Sequence, residues 1–105
     1  MALQGLGRFS EPALLVLVSL LEGPRHGYAI SEDIERLTGQ RPGPGTLYGV
    51  ISRLERAELI EARPVESRRK PYALTSSGRA EIRRELDQMN ALVATGRRRL
   101  EALPA

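Results

Sequence analysis

The chain has 105 residues, 41% hydrophobic and 28% charged, which suits one domain with an ordinary core and leaves no room for two independent ones. It has no cysteine, so a disulfide framework, a thiolate nucleophile and a Cys-ligated zinc are excluded. Lys and Arg number 16 against 13 Asp and Glu, a formal net charge of +3 with a sequence pI of about 9.9, a balance that favours polyanionic partners.

In chain order, residues 1–9 carry two glycines and no sustained period, and they are expected to form an arm that orders only against a partner. A first helix is predicted over residues 13–21, capped by Ser10 or Glu11 with Pro12 in its first turn. It is apolar nearly all round except at Ser19, as expected of a helix buried on most sides. That stretch is too short for the ~20 residues of a membrane span. As the apolar part of a signal peptide it is interrupted by Glu11 and Pro12 and followed by Glu22-Gly23-Pro24 in place of a small-residue cleavage site. No membrane association and a cytoplasmic location are therefore expected.

The second predicted helix runs over residues 27–38, with Ile30, Ile34 and Leu37 on an apolar side and Ser31, Glu32, Asp33, Glu35 and Arg36 on the other. Gly39 ends it, and a loop leads to Pro44, well placed at the first position of a third helix, where its missing N–H has no partner to lose. Leu47, Val50, Ile51 and Leu54 then form one apolar stripe, continued by Ala57; Gly45, Gly49, Ser52 and Arg56 lie opposite, flanked by Thr46, Tyr48 and Arg53. From residue 59 the period becomes two. Residues 59–65 and 71–74 read as strands joined by the polar loop Glu66-Ser67-Arg68-Arg69-Lys70. Because Pro64 and Pro71 cannot donate ladder hydrogen bonds, this hairpin is expected to be an edge ribbon and not the centre of a larger sheet. Thr75 is placed to cap a last long helix, in which Ile82, Leu86, Met89, Val93, Gly96, Leu100 and Leu103 alternate at spacings of four and three. Such a heptad seam exceeds what one small domain covers, so a partner helix is expected. Packing against the chain's own body is the alternative for this seam, and Gly96 weakens it locally.

Three helices, a two-stranded ribbon and a long helix, in that order, predict a mainly α winged helix-turn-helix with a small β-hairpin (residues 1–75) and an appended dimerisation helix (residues 76–105). In such a domain the third helix enters the major groove of double-stranded DNA and the ribbon reaches a neighbouring groove or backbone. Gly45, Gly49 and Ser52 keep the outward face of the third helix low, while Thr46, Tyr48, Arg53 and Arg56 supply donors and charge. An interior helical glycine such as Gly49 costs about 1 kcal/mol relative to alanine, which close approach to DNA explains; a solvated face with an incidental glycine is the alternative reading, and the neighbouring ribbon favours the first. Arg68, Arg69 and Lys70 crowd the hairpin tip, where a phosphate would relieve their repulsion; discouraging edge-to-edge pairing is the other use of such charges. Tyr28, at the start of the second helix, reads either as a core residue with a bonded hydroxyl or as a candidate backbone anchor. The expected dimer contacts are Ile82, Leu86, Met89, Val93 and Leu100.

These motifs resemble the PadR family of bacterial transcriptional regulators over nearly the whole length. The matching runs are Glu22-Gly23-Pro24-Arg25-His26-Gly27-Tyr28, Pro44-Gly45-Thr46-Leu47-Tyr48, Arg53-Leu54-Glu55 followed by Leu59-Ile60, and Arg69-Lys70-Pro71-Tyr72-Ala73-Leu74-Thr75 leading to Gly78. The resemblance implies a homodimeric winged-helix repressor whose recognition helix starts at Pro44, and the single C-terminal helix is similar to the short subgroup. Gly43 stands where the family often has a capping serine, Gly49 where it often has proline, and Pro71 where a second aromatic or basic residue is common. Some members bind flat aromatic effectors between subunits. This chain has no Trp, one Phe and three Tyr, all outside the last helix, so a stacking platform for such an effector is not evident and its identity stays open.

The lone His26 has no acid at ligand spacing, so no metal or cofactor is expected, and its role is structural or a phosphate contact. Without Cys, a second His or a Gly-rich phosphate loop there is no catalytic constellation, and no enzyme is expected. The rival to a DNA-binding regulator, represses-by-occupancy on an inverted repeat included, is a winged-helix module for protein contacts and dimerisation without specific DNA binding.

Overall fold

The computed structural model describes residues 12–104. The arm over residues 1–9 and the caps expected at Ser10 and Glu11 lie outside the described residues. Helix α1 (Pro12–Ser19) tightens into a 3-10 turn (Leu20–Glu22) and stops at Gly23, whose φ of 135° suits glycine alone. After it come strand β1 (Arg25–His26), helix α2 (Gly27–Thr38), helix α3 (Pro44–Arg56), strands β2 (Ile60–Ala62) and β3 (Pro71–Leu74), and helix α4 (Ser76–Glu101).

The core gathers Val16, Leu17 and Leu20 of the first helical segment with Ile30 and Ile34 of α2, Leu47, Val50, Ile51 and Leu54 of α3, Ile60, Tyr72 and Ile82. The stripe on α3 is therefore the expected one as far as Leu54, but Ala57 is exposed because the helix ends at Arg56 and turns out through Glu58. On α2 the two sides are shifted from expectation. Leu37 is exposed, whereas Ser31 and Asp33 are buried. Each polar group has a local reason to go inside: the Ser31 hydroxyl donates to the Tyr28 carbonyl at 2.8 Å, and the Asp33 carboxylate pairs with Arg36 at 3.0 Å and Arg25 at 3.9 Å.

The sheet has three strands in the order β1-β3-β2, all antiparallel. This corrects the edge ribbon read from Pro64 and Pro71, because β3 is the central strand. Pro71 is its first residue, paired with His26, where a missing N–H interrupts no ladder; its carbonyl accepts from the Arg63 N–H at 2.8 Å. β2 ends at Ala62, and the segment expected to continue it to Val65 leaves the ladder at Pro64. Beyond it, Glu66 and Arg69 bond reciprocally, N–H to carbonyl, at 2.9 and 2.8 Å, closing a two-residue turn in which Ser67 and Arg68 hold φ of 49° and 67°. Both central residues at positive φ give the twist that an antiparallel hairpin needs.

Thr75 caps α4 as expected, its Oγ1 accepting from the Gly78 N–H at 3.0 Å, while its hydroxyl donates to the Glu58 carbonyl at 2.7 Å. Gly78 sits so close to the α3–β2 turn that a Cβ there would lie 2.1 Å from the Leu59 carbonyl oxygen. The N-terminal part of α4 is thereby fixed to the body through Gly78 and Ile82, its two buried residues. Leu86, Leu92, Val93, Leu100 and Leu103 beyond it are exposed.

Candidate nucleic-acid interface

Periodicity alone puts Leu47, Val50, Ile51 and Leu54 of α3 on one side and leaves Gly45, Gly49, Ser52 and Arg56 on the other. All four of these outward residues are exposed. Thr46 and Arg53 flank the face on one edge and Tyr48 on the other. No neighbour lies within 4 Å of a Cβ built at Gly45 or Gly49, so nothing among the described residues requires glycine there. Arg53 and Arg56 form no ion pair among the described residues.

Tyr48 turns from its edge towards the start of α2. There its ring covers Gly27, where a Cβ would meet the hydroxyl oxygen at 2.5 Å; Gly27 is glycine because Tyr48 occupies the space of a side chain. One residue on, the Tyr28 ring is about half exposed and has Arg41 over it at 5.3 Å and Arg69 at 5.9 Å from its centroid. These contacts, each worth about 0.5–1 kcal/mol when exposed, join the α2–α3 loop and the hairpin tip to the start of α2. Arg41 is also bonded twice to Glu35, at 3.2 and 3.0 Å, and this partner first, then Tyr28, holds its guanidinium above its already high ordinary value. Just before β3, Lys70 lies 5.5 Å from the centre of the Tyr72 ring.

His26 is the N-cap of α2, its Nδ1 accepting from the Ala29 N–H at 3.2 Å. Its Nε2 is 3.0 Å from Arg69 Nη1. The result is one open cavity of about 380 Å³ lined by His26, Gly27, Tyr28, Tyr48, Arg68, Arg69, Lys70 and Tyr72. It brings Tyr28, Tyr48 and the basic hairpin residues together from three separate runs of sequence. Gly45, Thr46, Gly49, Ser52, Arg53 and Arg56 stay outside that cavity, on the adjoining surface of α3. Gly27 and Arg41 are additions to the residues expected from sequence, while His26, read there as structural or a phosphate contact, both caps α2 and lines the cavity. For Gly27 the signal was its place immediately before Tyr28; for Arg41 there was none, since its position depends on a loop.

Behind this surface, burial pushes the Asp33 carboxyl up, but the Ser19 dipole and the Arg36 and Arg25 guanidinium groups outweigh it and hold the group below the usual range. The Ser19 hydroxyl is buried without a partner at hydrogen-bonding geometry, so it acts on Asp33 as a nearby dipole and not through a formed bond. Among the described residues no group of three or more His, Cys, Asp or Glu could hold a metal ion. No described helix is long and apolar enough to cross a membrane.

The family model for transcriptional regulators of the PadR-like family matches residues 16–84, from α1 through the first turns of α4. The chain belongs to the PadR-like family. Members of this PadR-like family are transcriptional regulators and not enzymes. An uncharacterized 37.1 kDa protein of transposon Tn4556 from Streptomyces fradiae is 42% identical over 85 residues, which cover 81% of this chain and 25% of that protein. The chain thus spans about a quarter of that relative. A transcriptional regulator from Clostridium thermocellum has the same fold with a TM-score of 0.72 at 26% identity, covering 82% of this chain and 86% of that one. PadR from Bacillus subtilis, solved in complex with operator DNA, aligns with a TM-score of 0.64 at 23% identity over 71% of this chain and 46% of that one. That likeness concerns the winged-helix fold alone.

Proposed function

We infer that this PadR-like chain is a sequence-specific DNA-binding regulator, a homodimer that represses by occupying an inverted-repeat operator in the cytoplasm. The observation that carries the reading is the convergence of Tyr28, Tyr48, Arg68, Arg69 and Lys70 on one open cavity beside the exposed face of α3. In this reading the low face of Gly45, Gly49 and Ser52 lets the α3 backbone approach base edges, which Thr46, Tyr48, Arg53 and Arg56 contact. Arg68, Arg69 and Lys70 hold the flanking phosphates and supply the salt-dependent part of the affinity. Residues 76–105 dimerise through Leu86, Met89, Val93 and Leu100; Ile82, also expected from the sequence as a dimer contact, is instead buried in the chain's own core. Two copies of α3 then face successive major grooves, half-sites about one turn apart. The operator complex of the Bacillus PadR supports this use of the fold.

The test is selection of bound sequences from a random duplex pool at about 150 mM salt, where non-specific attraction is screened. Recovery of an inverted repeat is expected. Recovery of nothing above background overturns the reading in favour of a protein-contact module. With a selected site in hand, Arg69→Ala is expected to weaken binding to all duplexes and to lower the slope of log affinity against log salt by about 1.

A further inference from the structure

His26 has a hydrogen-bonding conflict that its neighbours cannot resolve between themselves. Its Nδ1 faces the Ala29 N–H at 3.2 Å and its Nε2 faces Arg69 Nη1 at 3.0 Å. A neutral imidazole accepts at one nitrogen only. The Ala29 amide lies in the first helical turn, where no intrahelical carbonyl is available to it, and its surroundings are half-buried. Arg69 is exposed and satisfies its donors in water. The cap therefore takes Nδ1 as acceptor, the proton sits on Nε2, and two donors, Nε2 and Arg69 Nη1, stand 3.0 Å apart, near enough for a single acceptor to serve both. An oxygen atom held there accepts from both.

Arg69 is fixed for this role from two sides. Its backbone closes the hairpin turn through two hydrogen bonds to Glu66, and its guanidinium lies 5.9 Å from the Tyr28 ring centre. The pair lines both the 380 Å³ cavity and a second opening of about 610 Å³ on the other side of the hairpin, so both donors are reachable from the surface. Arg68 and Lys70 line the first opening too, and their charge selects an anionic oxygen over a neutral one. We propose that His26 Nε2 and Arg69 Nη1 together clamp one phosphodiester oxygen of bound duplex DNA. The clamp rests on the DNA-binding reading and deepens it by giving the helix cap His26 a defined tautomer, a named partner in Arg69 and one phosphate oxygen to hold.

Because His26 is the chain's single histidine, its ring nitrogens give one unambiguous pair of 15N signals. In the free protein Nε2 is expected to carry the proton; on saturation with a selected duplex the Nε2 signal moves while Nδ1 keeps the shift of an acceptor. His26→Asn retains a good N-cap and removes Nε2. It is expected to lower affinity for specific and non-specific duplexes alike by about tenfold, with the His26→Asn/Arg69→Ala double variant little weaker than Arg69→Ala alone. An Nδ1-protonated ring, an Nε2 signal unmoved by duplex, affinity of His26→Asn within about twofold of the wild type, or single losses that multiply in the double variant each overturn the clamp. A signal moved by inorganic phosphate but not by duplex makes the pair a general anion site and overturns it also. Failure of the wild-type chain to bind any duplex removes the DNA-binding reading itself, whereas binding that survives His26→Asn removes the clamp alone.

Discussion

Glu58 ends α3 at a φ of 60°, a conformation that costs an L-residue roughly 1 kcal/mol and glycine almost nothing. The backbone there forms a Schellman closure, with Leu59 N–H bonded to the Leu54 carbonyl at 3.0 Å and Glu58 N–H to that of Glu55 at 2.9 Å. The Glu58 side chain is exposed and none of these bonds uses it. Glu58→Gly is therefore expected to stabilise the fold by about 1 kcal/mol, raising the midpoint by roughly 4–8 °C; an unchanged or lower thermal midpoint would show that the turn is not strained. Asp33 makes the opposite case, a polar residue whose environment is favourable. Its folded-state value lies below the unfolded one of about 3.9 because Ser19, Arg36 and Arg25 outweigh the burial that pushes it up. A depressed carboxylate contributes stability that is complete above the unfolded value and disappears as pH falls through the folded one. Denaturant titrations from pH 6 downwards are expected to show wild-type stability falling below about pH 4 more steeply than that of Asp33→Asn, which starts lower at neutral pH. Parallel curves would sink the assignment.

At the scale of elements, α3 serves two masters, and Gly49 separates them. A Cβ at this position meets nothing within 4 Å, so Gly49→Ala is expected to stabilise the chain by about 1 kcal/mol through helix propensity. If α3 lies against base edges, the same methyl group stands in the interface and weakens specific binding; thermal melting and affinity for the selected site should move in opposite senses. Joint improvement would take α3 away from the DNA. The α3 face was legible in the sequence because Leu47, Val50, Ile51 and Leu54 recur at helical spacing and one buried stripe fixes what lies opposite. The long period of α4 was legible for the same reason. β1 was not: two residues, Arg25 and His26, offer no alternation, and their pairing with Pro71 and Tyr72 spans α2, α3 and β2. Without β1, the position of Pro71 argued for an edge, although first place in a strand removes the objection. Positive φ at Glu58, Ser67 and Arg68 had no glycine or asparagine to announce it. Leu37 and Asp33 exchanged their expected sides because helical spacing marks an apolar arc, whereas two arginines from different places on the chain decide whether an acid enters it. Tyr28, Tyr48 and the hairpin residues were each singled out separately; that they line one cavity depends on Gly27 making room for Tyr48, which is a tertiary fact.

The described residues measure 59 × 28 × 21 Å with a radius of gyration of 16.0 Å, against about 13 Å for a compact chain of about this length. Much of the excess is α4, whose 26 residues span ~39 Å while only Gly78 and Ile82 are buried. Leu86, Val93, Leu100 and Leu103 are 41%, 50%, 71% and 65% exposed and Met89 is half-buried, so the body of a single chain does not cover the seam. Covering these five side chains on each of two copies is worth on the order of 15 kcal/mol at about 1.5 kcal/mol each, enough to offset an association cost of about 4–15 kcal/mol. Replacing Leu86 and Val93 with aspartate in both copies removes roughly 6 kcal/mol of that and sets like charges against one another. The double variant is expected to sediment at the monomer mass of 11.6 kDa with its helical content largely kept, because the anchored start of α4 and the core do not involve either position. The wild type should sediment at twice that mass. Losing the second α3 also removes the avidity of two linked half-sites, so affinity for an inverted repeat should fall by at least 100-fold while affinity for a single half-site changes little. A wild-type monomer, or a variant that still dimerises, would place the dimer contact elsewhere than on α4.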